Sequence, residues 1–223
     1  MKTKKKNILR LLIALVVVIG VVYASLPYYA RHALIHWMPV IDDLETFHRH
    51  TVHHNPDDVW HWPLSADYNR YQLAERDAHY LDSLRTVSFL VIRRDSIVFE
   101  SYRDGWNDTL TSNIYSATKT IVGLLAGVAL DEGKIHSLDD PVSRYIPAYT
   151  KGMQAGVTLR HLLTMSGGMA WDEAYASLFS VTTHGYYGND LYDLVTGLEV
   201  VDRPGVQYSY RSGETQLLAF VIE

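Results

Sequence analysis

The segment "IYSATKTIVGLLAGVALDEG", residues 114–133, decides how the rest of this chain is read. Ser116 and Lys119 stand three residues apart near its start, and the residues after them are almost entirely apolar. The apolar run predicts one helix over residues 117–132, and Gly133 predicts a left-handed cap at its end. Because residues i and i+3 share a face of a helix, the two polar side chains are expected to touch.

This pair has two interpretations. Ser116 can be an ordinary helix cap and Lys119 a solvated helix residue, or the two can be a nucleophile and its base. A serine hydroxyl is a weak nucleophile until a base takes its proton, and burial lowers the pKa of a lysine toward the range that a base needs. The helix is apolar on all sides from Ile121 to Leu130, so we expect Lys119 to lack an easy route to water. Backbone N–H groups at the helix start are expected to point at the serine, where they would stabilise an oxyanion.

A second polar cluster, Tyr210-Arg211-Ser212, follows a turn at Pro204-Gly205. A tyrosine in a loop just before a helix can project its hydroxyl into a cleft. A phenol has a pKa of about 10, so it acts as a base near neutral pH only beside a cation, which Lys119 would supply. The alternative is that Tyr210 is a packing aromatic, one of 16 tyrosines in the chain.

The surrounding sequence predicts a mixed α and β architecture. Helical spacing of apolar residues predicts a helix within residues 72–85, and two apolar runs within residues 86–102 predict a hairpin. The first run, "VSFLVI", is apolar on both faces, so we expect a sheet covered on both sides. Thr158 predicts the cap of a short helix that stops at Gly167-Gly168, and a final helix is expected from near Ser212.

Composition excludes several classes of function. The 223 residues carry a net charge of -5, which provides no basic surface for nucleic acid. The chain contains no cysteine, which excludes disulfides, thiolate metal sites and a cysteine nucleophile.

The N-terminus predicts export. The basic stretch "MKTKKKNILR" precedes an uncharged run over residues 11–30, of which Leu11–Ala24 is purely apolar. This pattern fits a signal peptide cleaved near Ala24, and it fits equally an anchor long enough to cross a bilayer. We therefore predict a leader or membrane anchor over residues 1–30, an irregular lead-in over residues 31–71, and a periplasmic or otherwise extracytoplasmic domain over residues 72–223.

The order of the segments resembles the serine β-lactamase and penicillin-binding-protein superfamily, whose signature is S-x-x-K. The stretches that carry this resemblance are "YSATKT", "LDEGKIHSLDDPVSRYIP", "VTLRHLLTMSGGMAWDE" and "PGVQYSYRSGETQLLAFVIE". They are most similar to the class C-like branch, which includes esterases, D-amino-peptidases and 6-aminohexanoate-dimer hydrolases. The resemblance implies an α+β fold, with an antiparallel sheet flanked by helices and a helical subdomain.

The resemblance also implies roles for individual residues. Ser116 matches the nucleophile that forms an acyl-enzyme, Lys119 the lysine that activates it, and Tyr210 the tyrosine that shares the proton transfer. Ser212 stands where the family usually has asparagine, a departure that makes a true β-lactamase a less fitting interpretation. The implied substrate is a small molecule or peptide with an ester, amide or β-lactam bond, and no cofactor is expected.

Four further residues follow the "SGG" turn and are candidates for the wall of a substrate cleft: Trp171, Asp172, Glu173 and Tyr175. The alternative is that they are ordinary loop residues and packing aromatics.

One family element does not occur in the sequence. A K-T-G or H-x-G triplet is expected on a strand after the tyrosine, and none follows Tyr210 before Glu223. The expectation is therefore a chain that lacks the family's C-terminal strands, a partial version of a longer hydrolase. A catalytically inactive module of the same fold that binds peptidoglycan or peptide is the alternative function.

A histidine cluster provides a competing metal hypothesis. His48, His50 and His53 have a spacing close to that of zinc hydrolases. Val52 stands at the position where such sites carry aspartate, and no apolar strand precedes the cluster. A solvated polar lead-in is the preferred interpretation, and no metal site is predicted.

Overall fold

The computed structural model describes residues 2–47, 50–53 and 55–223. The chain forms two compact units, one made of the residues up to Pro39 together with Ile114–Glu223, the other of Val40–Asn113. The α-helices and strands have the following bounds: α1 Lys2–Ser25, α2 Tyr28–His36, α3 Glu75–Ser83, β1 Ser88–Arg93, β2 Ser96–Tyr102, α4 Thr118–Asp131, α5 Leu159–Leu163, α6 Val181–Tyr187, α7 Leu191–Gly197 and α8 Ser212–Ile222.

The unit Val40–Asn113 contains α3 and the predicted hairpin. Strands β1 and β2 pair antiparallel, with an irregularity in register between Val91 and Ile92. Arg94 and Asp95 connect them, both with positive φ (52° and 56°), which gives the two-residue turn that matches strand twist.

The prediction that this sheet is covered on both faces was wrong. Leu90, Val91 and Ile92 of β1 remain exposed, and Phe99 of β2 is the buried member of the hairpin. Among the described residues the sheet has two strands, extended only by a bridge from Leu64 to β2. Two strands cannot bury two apolar faces without further layers.

The other unit has a core in which α4, α5 and α8 pack together. Its fully buried side chains include Tyr149, Val157, Leu162 and Leu217. The Gln154 side chain is almost completely buried in this core, and its amide donates a hydrogen bond to the carbonyl of Leu198 at 2.7 Å. This bond satisfies a buried polar group and stabilises the core.

Helix α4 begins and ends close to the predicted residues. A one-turn 3₁₀ helix, Tyr115–Ala117, leads into it, and Gly133 adopts φ +71° at its end. Helix α4 is less buried than its uniformly apolar sequence led us to expect, because Ile121, Leu124 and Val128 are exposed and Ala126 is its buried residue. The described elements cover one face of the helix, so its apolar sequence did not decide how many faces were buried.

Helix α5 is capped as predicted but is shorter. The Thr158 hydroxyl accepts a hydrogen bond from the His161 N–H, and the helix ends at Leu163 rather than at the double glycine. Met165 takes φ +52°, which stops the helix before Gly167 is reached. Helices α2 and α6 were not predicted, since their aromatic and histidine-rich sequences have little helical periodicity.

The double glycine that follows α5 is required by close contacts. Gly168 has φ +80°, and a Cβ there would overlap the carbonyl oxygen of Asp202. A Cβ on Gly167 would lie 3.1 Å from the carboxyl group of Glu214. The turn therefore brings backbone within contact of two later segments that a larger residue would hold away.

The N-terminal helix is long and apolar enough to cross a membrane. The candidate span covers Lys5–Ser25, 21 residues, and its side chains are not buried in the protein. A helix of this length and composition is consistent with a membrane anchor and equally with a cleaved signal peptide.

Candidate active site

Ser116, Lys119 and Tyr210 meet at one point. Lys119 Nζ donates a hydrogen bond to Ser116 Oγ at 3.0 Å, and the Tyr210 hydroxyl donates to the same oxygen at 2.8 Å. The ammonium group also lies 5.0 Å from the centre of the Tyr210 ring. The structure thus brings together three residues that the sequence placed in two segments 94 positions apart.

Backbone hydrogen bonds hold the tyrosine segment in place. The N–H of Ser209 donates to the Met165 carbonyl at 2.8 Å, and the N–H of Gly205 donates to the Ser166 carbonyl at 2.8 Å. The turn after α5 therefore fixes the extended segment directly before Tyr210.

Three ionic residues, Arg211, Asp202 and Glu214, stabilise the start of α8 directly after the tyrosine. Arg211 is paired with Asp202, and its other terminal nitrogen lies 3.7 Å from Glu214. Glu214 is fully buried and accepts hydrogen bonds from the N–H groups of Gly167 (3.0 Å) and Met169 (3.4 Å). Burial raises the pKa of Glu214, and those N–H groups and Arg211 oppose the rise.

The electrostatics of the site favour an ionisable tyrosine. Burial alone would raise the pKa of Tyr210. Hydrogen bonds with Ser116 and Lys119, together with the positive charge of Lys119, outweigh that effect and lower the pKa below its ordinary value. A lowered phenol pKa increases the fraction of Tyr210 present as phenolate near neutral pH, which is the form that can accept a proton.

The backbone directly before the serine has an unusual conformation. Tyr115 has φ +42°, a left-handed value that is rare for a bulky residue. Such strain persists where surrounding contacts fix it, and it is frequent at functional sites. No pattern in the sequence indicates it, because the conformation depends on what packs around the turn.

Lys119 is less enclosed than the sequence predicted. It is half-buried and Ser116 is exposed, because α4 is covered on one face only. Both residues line a cavity of about 350 Å³ with Tyr210, and the other lining residues are Thr120, Gly123, Leu163, Met165, Tyr208, Thr215 and Leu218. Of these, Met165 and Tyr208 lie in turns and extended backbone, where helical periodicity offers no signal.

Glu173 connects the loop after the double glycine to the start of α8. Its carboxylate accepts hydrogen bonds from the backbone N–H and the hydroxyl of Ser212, and from the Tyr175 hydroxyl. Burial and this carboxylate raise the pKa of Tyr175 to about 12. Glu173 thus holds Ser212 in place. Ser212 follows Tyr210, the tyrosine that contacts Ser116, by two positions.

Trp171 and Asp172 have other surroundings. The Trp171 indole lies between two glycines, and a Cβ on either Gly185 or Gly213 would overlap it. The Asp172 side chain accepts a hydrogen bond from the Val181 N–H at the start of α6. Neither residue lines the cavity around Ser116, whereas Tyr175 lines a neighbouring cavity.

Of the predicted histidine cluster, His48 lies outside the described residues. Among the described residues, no group of three or more histidine, aspartate and glutamate side chains is arranged to hold a metal ion.

Two curated relatives share part of this sequence. The chain is 27% identical over 154 residues to a 6-aminohexanoate-dimer hydrolase of Paenarthrobacter ureafaciens, a match that covers 64% of this chain and 39% of the relative. It is 29% identical over 118 residues to protein flp of Staphylococcus aureus (strain NCTC 8325 / PS 47), covering 52% of this chain and 23% of that protein. The chain thus spans well under half the length of these relatives.

Two solved structures share the fold. One, from Bacillus anthracis, is named after the 6-aminohexanoate-dimer hydrolases and superposes with a TM-score of 0.58 at 21% identity, over 75% of this chain and 49% of that one. The other, from Bacteroides dorei DSM 17855, is named after the β-lactamases and gives a TM-score of 0.51 at 22% identity, over 66% of this chain and 44% of that one. With the helices and antiparallel hairpin described above, they confirm the predicted α+β class.

A family match covers most of the chain. Residues 73–223 match the family described as Beta-lactamase. The match begins just before α3 and includes Ser116, Lys119 and Tyr210. The chain belongs to the β-lactamase family.

Proposed function

We propose that this chain is an exported serine hydrolase that cleaves an ester or amide bond through an acyl-enzyme. The observation that carries the proposal is the convergence of Lys119 Nζ and the Tyr210 hydroxyl on Ser116 Oγ, at 3.0 and 2.8 Å. A nucleophile within hydrogen-bonding distance of a base, with a third group that orients the base, is the arrangement nucleophilic catalysis requires.

The first step is acylation. When either Lys119 is neutral or Tyr210 is a phenolate, the hydrogen bond reverses and the Ser116 hydroxyl becomes the donor. The serine proton passes to that base as Oγ attacks the substrate carbonyl carbon. Tyr210 then protonates the leaving alcohol or amine, and the carbonyl–heteroatom bond breaks.

The second step is hydrolysis of the acyl-enzyme. The same pair accepts a proton from water, which attacks the ester carbonyl on Ser116, and returns that proton to Oγ as the acid product leaves. Backbone N–H groups of the helical turn that contains Ser116 are candidates for stabilising the oxyanion.

The substrate class follows from chemistry and from the relatives together. Acyl transfer to serine suits carboxylic esters and amides, and a relative is named for hydrolysis of an aminohexanoate dimer. Ser212 in place of asparagine favours an esterase or amidase over a β-lactamase. The apolar helix at the N-terminus supports export, with α1 either removed or retained as an anchor.

Covalent labelling tests the proposal. A fluorophosphonate probe is expected to add one equivalent to the wild-type protein and none to Ser116→Ala, as measured by intact mass. Ser143→Ala, a serine in another part of the same unit, is the matched control and should label normally. A wild-type protein that does not label would refute the enzymatic proposal and favour the inactive binding module.

Tyr210→Phe tests the proton-transfer step. Removing the hydroxyl is expected to lower kcat on an activated ester by about 10²-fold or more, the usual contribution of general acid–base help. The variant should still be labelled by the fluorophosphonate probe but should turn over the ester slowly. A turnover near that of the wild type would contradict this role.

A further inference from the structure

A second cavity is lined in part by Tyr115, the residue directly before the candidate nucleophile. Its volume is about 530 Å³, within the range of pockets that enclose small ligands. One wall comes from α2 and the residues after it, including Leu34, Trp37 and Met38. Tyr115 and Tyr175 also line the cavity.

Two of these wall residues belong to the surroundings of the site. Tyr115 directly precedes Ser116 in the chain, so the wall and the serine share one helical turn. Tyr175 donates a hydrogen bond to Glu173, which in turn accepts from Ser212 at the start of α8. The link to the serine is Tyr115, which lines the cavity and whose Cα lies about 3.8 Å from that of Ser116, the next residue in the chain.

The lining favours hydrocarbon. Ala33, Leu34, Met38, Ala176 and Leu178 contribute aliphatic surface, and aromatic rings supply much of the remainder. Leu34 and Met38 are 42% and 50% exposed, and Trp37 is 75% exposed, although all three are apolar. Contiguous apolar surface open to solvent marks an interaction site, and where it lines a cavity of this size it suits the apolar part of a small ligand.

The position of the wall in the chain narrows the choice of ligand. The apolar helix α1 ends at Ser25 and α2 begins at Tyr28. The nine residues of α2 rise about 14 Å at the helical rise per residue. If α1 stays in a bilayer, the cavity wall thus lies within roughly 25 Å of the membrane boundary along the chain.

We propose that this cavity holds the hydrocarbon chain of an acyl ester or amide whose carbonyl is placed at Ser116. The inference rests on the proposed hydrolase function and names its substrate class, an amphiphile with an apolar acyl chain. The chain fills the cavity between α2 and Tyr175 while the polar head of the substrate remains on the side of Ser116 and Tyr210.

Chain-length dependence of hydrolysis tests this assignment. Each methylene buried in an apolar pocket is expected to raise kcat/KM by about fourfold until the cavity is full. Across p-nitrophenyl esters from acetyl to octanoyl, the wild-type protein should gain on the order of 10²-fold or more. Ala176→Trp places an indole in the cavity, so the octanoyl-to-acetyl ratio should fall at least tenfold.

A matched control and a binding measurement separate the possible failures. Ala155→Trp introduces the same side chain at an exposed alanine outside the cavity and should keep the wild-type ratio. A dansyl-labelled fatty acid should bind the wild-type protein and bind more weakly to Ala176→Trp, a readout that needs no turnover.

Fluorophosphonate labelling together with a flat chain-length series, or equal fatty-acid binding by the wild type and Ala176→Trp, would overturn the cavity assignment. Fatty-acid binding without labelling would overturn the hydrolase function and leave the cavity as a lipid-binding site.

Discussion

The buried carboxyl group of Glu214 is the place where a single substitution should be most informative. Its oxygens accept from the N–H groups of Gly167 and Met169, and the side chain has no exposed surface. The turn that it fixes is the one whose carbonyls hold the segment before Tyr210. We predict that Glu214→Ala destabilises the unit that carries the site and also lowers labelling of Ser116.

The magnitude follows from the bonds that are lost. A buried N–H left without an acceptor costs about 1–3 kcal/mol. Losing the 3.0 Å bond to Gly167 should cost a free energy near the middle of that range, and losing the 3.4 Å bond to Met169 should cost one near its lower end. Truncation also removes the cost of burying a charge, which offsets part of the loss. The expected change in the free energy of unfolding is therefore a decrease of about 2 kcal/mol.

Urea unfolding followed by tryptophan fluorescence measures this change. Glu199→Ala, at an exposed position, is the control and should alter stability by no more than about 0.5 kcal/mol. The loss of even one buried acceptor should lower the free energy of unfolding by more than about 1 kcal/mol. A smaller decrease in Glu214→Ala would refute the role given to the carboxyl group.

The pH dependence of the same position has a defined sign. Burial raises the pKa of Glu214 in the folded state, so the folded protein binds this proton more tightly than the unfolded chain does. Its contribution to stability is therefore fully present below the ordinary pKa of a glutamate in the unfolded chain and is lost as pH rises through the higher folded pKa. Glu214→Gln lacks this titration. The stability of the wild type minus that of the variant should fall as the pH is raised from the ordinary carboxyl range through the raised folded pKa of Glu214, and a rise would contradict the assigned direction.

Two further predictions concern the turn and the base. Gly168→Ala should lower the free energy of unfolding by more than about 2 kcal/mol, because a Cβ at φ +80° would overlap the Asp202 carbonyl. Gly197→Ala, where a Cβ meets nothing within 4 Å, should be neutral or slightly stabilising in the same thermal melts, and equal effects would refute the argument. Lys119→Gln should raise the pKa of Tyr210 by removing a cation that lowers it, so the remaining activity should rise at higher pH than in the wild type. An unshifted pH–rate profile would show that the lysine does not tune the tyrosine.

Local sequence was sufficient for several elements of this fold. The S-x-x-K spacing places Ser116 and Lys119 on one helical face, and the structure has them in contact. Thr158 caps α5 and Gly133 takes the left-handed conformation after α4, both as predicted. These features depend on residues within one or two turns of each other, so helical geometry and backbone preference decide them.

Burial could not be predicted in the same way. The sequences of β1 and α4 are apolar on all sides, so β1 was expected to be covered on both faces and α4 to be a buried helix. In the described structure each exposes apolar residues, such as Leu90 and Leu124. An apolar face is buried only where another element packs on it, and a single segment carries no information about that element.

The sequence by itself determined the chemistry available to this protein: a serine and a lysine on one helix face, and a tyrosine before a later helix. Only the tertiary structure decided that Tyr210 reaches Ser116 across 94 positions and that Glu173 holds the start of α8. It also decided that a largely apolar cavity is lined by Tyr115, the residue directly before the serine. The physical reason is that all three depend on contacts between segments far apart in the chain; Tyr210, for example, is positioned by backbone hydrogen bonds between the turn after α5 and the segment before α8.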